Sequence, residues 1–188
     1  MHQVFKSLLI SLVPLFFLTS FAPYKLAQKH LLEWKAIRPI QWTDFKAKPD
    51  TTVHYYAVTS SGIDMSGQAK TVGNQSYIKF HVTANFDFNK SWVKIEKASD
   101  ELLRHEQYHF NISELHARIL RKELSLLDKT DPKILKKVNK LFDQVHASSI
   151  KMQELYDEET NHSINELAQE EWEKKIDKQL QLLIDYAL

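Results

Sequence analysis

The chain has 188 residues, 43% hydrophobic and 26% charged, which suits one globular domain with an ordinary core and makes a second catalytic domain unexpected. Its 25 basic residues are offset by 24 acidic ones, giving a formal net charge of +1, which argues against a long electrostatic footprint for nucleic acid. It has no cysteine, which excludes disulfides, thiolate metal ligands and lipid attachment through an N-terminal Cys; any metal site must use His and carboxylate.

In chain order, Lys6 precedes "SLLISLVPLFFLTSFA", an apolar run of signal-peptide length ending in the small-x-small triplet Ser20-Phe21-Ala22. Residues 1–22 are therefore expected to be an export signal. Pro23 hinders cutting at that site, so the alternative is a retained N-terminal membrane anchor. Residues 23–188 are expected to form one exported domain, periplasmic or secreted. "LAQKHLLEW" is a short amphipathic stretch, and "RPIQWTDFKAKPD" is a proline-bracketed loop with two aromatics. From Tyr55 to Ile63, and again from Tyr77 to Phe88, the residues alternate, most clearly in Phe80, Val82, Ala84, Phe86 and Phe88 against His81, Thr83, Asn85 and Asp87. These are strands with one buried face. Ser66-Gly67 and Gly73-Asn74 are turn signals, so the sheet is expected to be small and mostly antiparallel.

From about Lys94 the pattern is helical. Ile95, Ala98, Leu102, Leu103, Phe110, Ile112, Leu115, Ile119 and Leu120 recur at helical spacing with no Gly or Pro until Pro132. A second helix is expected from about Pro132 through Ile134, Leu135, Val138, Leu141, Phe142 and Val145 toward Tyr156. A third begins at a capping box of Ser163 and Glu166 and continues through Ile164, Leu167, Ala168, Trp172, Ile176, Leu180 and Leu183. The fold class is α+β, a small sheet followed by a helical half, zincin-like in arrangement.

The chemistry concentrates in "RHEQYHF" on the first helix. Positions four apart lie one above the other on a helix, so His105 and His109 can each aim a ring nitrogen at one ion about 2 Å away. Glu106, rotated by about 100°, reaches the bound water instead. This is the HExxH pattern of zinc hydrolases. The bland alternative is a solvated helix face on which Glu106 pairs with Arg104 or another neighbour.

A third ligand is needed. The extended metzincin pattern asks for Gly and His where this chain has Ile112 and Leu115. His116 lies about 10 Å further along the axis than His109, too far for the same ion, and is expected in a supporting or surface position. Glu114 is expected as a structural ion-pair or hydrogen-bond partner supporting the site, with metal ligation as its alternative. In "YDEETNH" the expected third ligand is His162, in the turn before the last helix; Asp157 either orients a ligand histidine or is the ligand itself, with Glu159 in reserve. Tyr156 or Arg118 is the candidate donor to a developing oxyanion, Tyr156 having core packing as its alternative.

"RPIQWTDFKAKPD", "SWV", "ELLRHEQYHFNISELHAR" and "YDEETNHS", in this order, resemble a bacterial family of predicted secreted zinc-dependent proteases catalogued as a domain of unknown function. The resemblance runs from about Arg38 to Trp172 and rests on Trp42, Asp44 and Phe45, on His105, Glu106, His109, Phe110, Ile112, Glu114, Ala117 and Arg118, and on Tyr156, Asp157, Thr160 and His162. Ser163 stands where the family pattern has Gly, and as a good N-cap it is expected to preserve the turn. The resemblance implies a zinc-dependent protease.

The function expected is Zn²⁺-assisted hydrolysis of a peptide or protein substrate, with His105, His109 and His162 holding the metal and Glu106 as general base. No nucleic-acid partner is expected, and the sequence says nothing of oligomeric state. The alternatives are a zinc amidase acting on cell-wall peptides, a non-catalytic zinc-binding envelope protein, and a helical interaction module built on the last two helices.

Overall fold

A computed structural model describes residues 30–188 with the exception of Asn74; the expected signal or anchor at residues 1–22 lies outside the described residues. The described chain is α+β, with a small antiparallel sheet and three helices. Strand β1 (Leu31–Glu33) is followed by a loop with a helical turn at Trp42–Asp44, then β2 (Ala57–Val58), β3 (Ser61–Val72), β4 (Gln75–Asp87) and β5 (Trp92–Val93). Helices α1 (Asp100–Ser125), α2 (Ile134–Thr160) and α3 (Glu166–Leu182) complete the chain.

β1, β4 and β3 form one sheet in that order, all antiparallel, with Leu32 opposite Phe86 and Ile63 opposite Ala84. The apolar face expected of β4 is observed, with Val82, Ala84 and Phe86 buried against α1, but the opposite face is not wholly exposed: Asn85 and Asp87 are buried too, Asn85 donating to Asp64 (2.7 Å). The amphipathic stretch near Leu31 contributes an edge strand.

Two strand expectations need correction. The alternating run from Tyr55 to Ile63 is two strands in two sheets, because the chain crosses over at Thr59-Ser60, where the buried Ser91 hydroxyl accepts from the Ser60 amide (2.9 Å) and donates to the Asp87 carbonyl (2.8 Å). β2 then pairs with β5, and β3 with β4. Ser66-Gly67 is no turn. It lies inside β3, where a Cβ on Gly67 would stand 3.4 Å from the side chains of Ile78 and Phe80. Gly73, at φ +60°, does serve the hairpin.

α1 starts later than its apolar spacing suggests. Ser99 caps it by accepting from the Leu102 amide (3.1 Å), and Ile95 sits 71% exposed in a preceding turn. One face of α1 packs Phe110, Ala117, Leu120 and Leu124 onto the sheet and onto Val138 and Val145 of α2. Its other face packs Ile112 and Leu115 with Tyr156, Trp172, Ile176 and Leu180. A helix covered on both faces is a rigid support. α3 is capped by Asn165, which accepts from the Ala168 amide, and the Ser163 capping box does not form. Ile164 and Leu167 consequently fall outside the buried stripe, at 69% and 78% exposure.

Glu114 is an ion-pair partner and not one of the converging ligand groups. Buried on α1, it accepts from Arg118 Nε (2.8 Å) and Arg121 Nη2 (2.9 Å), and Arg118 also donates to the Leu180 carbonyl (2.7 Å). Removing one partner of such a cluster leaves uncompensated buried charge. Glu114→Ala is expected to destabilise the chain by about 3–5 kcal/mol, read as a lower urea midpoint at unchanged m-value.

Candidate metal centre

α1 and α2 face each other with matching spacings: His105 and His109 on α1, Gln153 and Asp157 on α2. Both pairs are four residues apart and so present a double contact. His105 Nε2 and His109 Nε2 are 3.2 Å apart and lie 3.1 and 3.0 Å from Asp157 Oδ1. His105 is 2% exposed, which rules out the solvated-face alternative. Arg104 pairs with Glu173 of α3 (2.9 Å), leaving Glu106 without it.

The far ring nitrogens fix the tautomers. Gln153 donates its amide nitrogen to the His109 carbonyl (2.9 Å), a pure acceptor, so its oxygen faces His109 Nδ1 at 2.6 Å. Gln169 donates to Glu173 Oε1 (2.9 Å), so its oxygen faces His105 Nδ1 at 3.0 Å. Both Nδ1 atoms must therefore carry hydrogen and donate. In the neutral rings this leaves both Nε2 lone pairs directed at each other and at a carboxylate oxygen. Such a cage requires a positive charge at its centre, either a proton or a cation.

The pKa directions express the proton's side of this requirement. Burial, the largest effect on His109, lowers its pKa, but the Asp157 hydrogen bond, the Glu106 and Asp157 charges and Gln153 together outweigh it, and the net direction is up. Burial pushes the Asp157 carboxyl up, yet hydrogen bonds from His105 and His109 and their charges hold it well below the usual carboxylate range.

The donor set also fits a metal. Among the described residues, His105, His109 and Asp157 are the His or acidic side chains whose ligand atoms converge in this way. Ligands about 2 Å from one ion in a tetrahedron stand about 3.3 Å from one another, close to the three separations observed. Glu106 supplies a further sign of fit. It is 3% exposed, it lines the same cleft, and its Oε2 has no hydrogen-bond partner among the described residues.

The expected site residues divide as follows. His105, Glu106, His109 and Asp157 come together at a cleft of about 440 Å³ edged by residues 55–59. His162 stands outside the converging trio: its half-exposed ring places Nδ1 3.3 Å from Asp157 Oδ1. Of the two third-ligand candidates, Asp157 occupies the central position. Glu159 accepts from the Trp172 indole (2.7 Å). Tyr156 does not face the cleft: fully buried, it donates to the His105 carbonyl (3.3 Å), accepts from Gln169 and stacks on the His105 ring (4.6 Å, 17°). Burial pushes its phenol pKa up. Arg118 is committed to Glu114 and Leu180, and His116 is neither surface nor site, donating from within the core to the Ile112 carbonyl (2.9 Å).

Residues 45–163 match a family model described as a bacterial protein of unknown function, DUF922. The chain belongs to the DUF922 family. No curated protein and no solved structure matches it. The DUF922 match is narrower than the resemblance from Arg38 to Trp172. It takes in α1, α2 and the turn through Ser163, but not α3, which brings Gln169 to the site.

Sequence reasoning missed Gln153 and Gln169. A usable signal existed: each stands at a position belonging to its helix's buried stripe, beside Ser149, Tyr156 and Thr160 in α2 and ahead of Trp172, Ile176 and Leu180 in α3. A polar side chain there needs a buried partner.

Two expected outcomes test this geometry. On titration with Zn²⁺ followed by dialysis, Asp157→Ala should lose the ion that the parent chain retains, whereas His162→Ala should keep it; the reverse result, read by elemental analysis, would make His162 the third ligand. Asn161, His162 and Ser163 all have positive φ, at 48°, 51° and 76°. Ser163 thus occupies a glycine conformation, and Ser163→Gly should stabilise the chain by about 1 kcal/mol in chemical denaturation.

Proposed function

We propose that this protein is an exported zinc-dependent peptidase of zincin-like design, in which His105, His109 and Asp157 hold the metal and Glu106 is the general base. The observation that carries the reading is the cage of two tautomer-locked imidazoles and a carboxylate beside a buried glutamate whose Oε2 lacks a partner. Two His and one carboxylate form a ligand set used by catalytic zinc, with a fourth position left to water. Bound there, the ion would polarise a carbonyl and make water acidic enough to attack near neutral pH.

The chain's own residues have distinct tasks. Glu106 accepts a proton from the attacking water and returns it to the leaving nitrogen. Gln153 and Gln169 keep the ligand rings in the required tautomer, and Tyr156 supports both rings from behind. Strand β2 borders the cleft and belongs, among the described residues, to a two-stranded ribbon, so an extended peptide could add along it. The apolar run after Lys6 supports export. A zinc amidase acting on cell-wall peptides would use the same residues.

A second reading is favoured by His162, whose Nδ1 lies 3.3 Å from Asp157 Oδ1. A small shift of that ring would close the fourth position and make the site a metal-binding one without catalysis. Glu106→Gln separates the two. For a hydrolase, the variant should retain its zinc and lose about 10²–10⁴-fold in turnover of peptide or cell-wall peptide substrates. Undiminished turnover would remove Glu106 from the mechanism, and zinc binding without turnover in the parent chain would favour the metal-binding protein.

A further inference from the structure

Beyond the Tyr55 ring lies a second hollow, of about 430 Å³, bordered by Thr52, Val53, His54 and Ile164 together with Asn161. It shares Tyr55, Tyr56 and His162 with the cleft beside His105 and His109, so the two adjoin across one ridge. That ridge is built. The Tyr55 ring stacks on His162 (5.5 Å, 29°) and on Trp92 of β5 (5.9 Å, 21°), and Trp92 is itself buried. On the far side, the left-handed turn at Asn161–Ser163 delivers Ile164, 69% exposed, to the hollow's wall.

We infer that this second hollow is a substrate subsite for one large uncharged side chain, aromatic or branched aliphatic, next to the bond held over His105 and His109. The inference rests on the peptidase reading and adds its specificity. Three features select this occupant. None of the lining residues is Asp, Glu, Lys or Arg; His54 and His162 are the titratable side chains there, and in their neutral form they leave a charged side chain without an ionic partner. Tyr55, Tyr56, Val53 and Ile164 supply apolar surface, and the volume lies in the range of small-ligand pockets, too small for a folded partner. Residues 55–56 run directly into β2, so a peptide laid along β2 has this hollow as its next stop.

The test uses dye-labelled alanine hexapeptides carrying one Phe, Leu or Glu at each position in turn. Binding is measured by anisotropy on the zinc-loaded Glu106→Gln chain, and cleavage by mass spectrometry on the parent chain. One position should favour Phe or Leu over Glu by at least about tenfold. Ile164→Lys, and separately Val53→Asp, should abolish that preference, while Leu167→Lys, an exposed apolar site that does not line the hollow, should leave it intact. Selective binding without cleavage in the parent would uphold the hollow as a pocket for a large uncharged peptide side chain and overturn the peptidase reading. Cleavage with no Phe or Leu preference, or with a preference that Ile164→Lys and Val53→Asp leave unchanged, would overturn the subsite alone. Neither binding nor cleavage would overturn both.

Discussion

Two amide oxygens set the electrostatics of the site. Because Gln153 and Gln169 must accept from the Nδ1 atoms of His109 and His105, the opposite ring nitrogens can present only lone pairs, or a proton, to Asp157. The amide orientations are fixed in turn by the His109 carbonyl and by Glu173, so every hydrogen-bond role follows from a group that can play only one part. The rest of the fold keeps these few ångströms in place. α1 is clamped between the sheet and two helices, Tyr156 fills the space behind the imidazoles, and α3 contributes one of the two glutamines.

α1 carries two buried glutamates, and comparing them shows how function can be separated from support. Glu114 has each carboxylate oxygen taken by an arginine, so its charge is neutralised within the fold. Glu106, equally buried, faces a cleft with one oxygen unpartnered. A buried carboxylate oxygen without a donor is costly, and the cost is explained where a ligand, water or metal supplies the missing contact. The same helix therefore contains a closed charge cluster that stabilises and an open one that waits for a partner.

Much of this was legible in the sequence. Helical periodicity located α1, the four-residue spacing placed His105 and His109 on one face, and the strict alternation of Phe80 to Phe88 identified β4. The boundaries were less legible, because apolar spacing continues through Ile95 while the Ser99 cap decides where α1 begins. Likewise Ser163 reads as a cap, although Asn165 fills that role. The choice between Asp157 and His162 depends on how α2 ends. α2 extends through Thr160, which places Asp157 in its last full turn facing α1 and leaves His162 in the turn beyond, a difference of one helical turn that composition does not encode. The joining of Tyr55 to His162 is tertiary, across more than a hundred residues of sequence.

That turn links the two halves of the site. Three consecutive residues without glycine's freedom hold left-handed backbone, a conformation that persists only where the surroundings over-determine it. Here the constraints are visible: the His162 amide donates to the Asp157 carbonyl (3.1 Å), and the Asn165 amide donates to the Thr160 carbonyl (2.8 Å). The first bond ties His162 to the residue whose side chain completes the cage. The turn therefore sets the position of the ring stacked on Tyr55 and of the wall carrying Ile164 relative to the Asp157 end of α2. The cage at Asp157 and the apolar hollow thus share one turn, whose His162 ring borders both and whose backbone leads into Ile164.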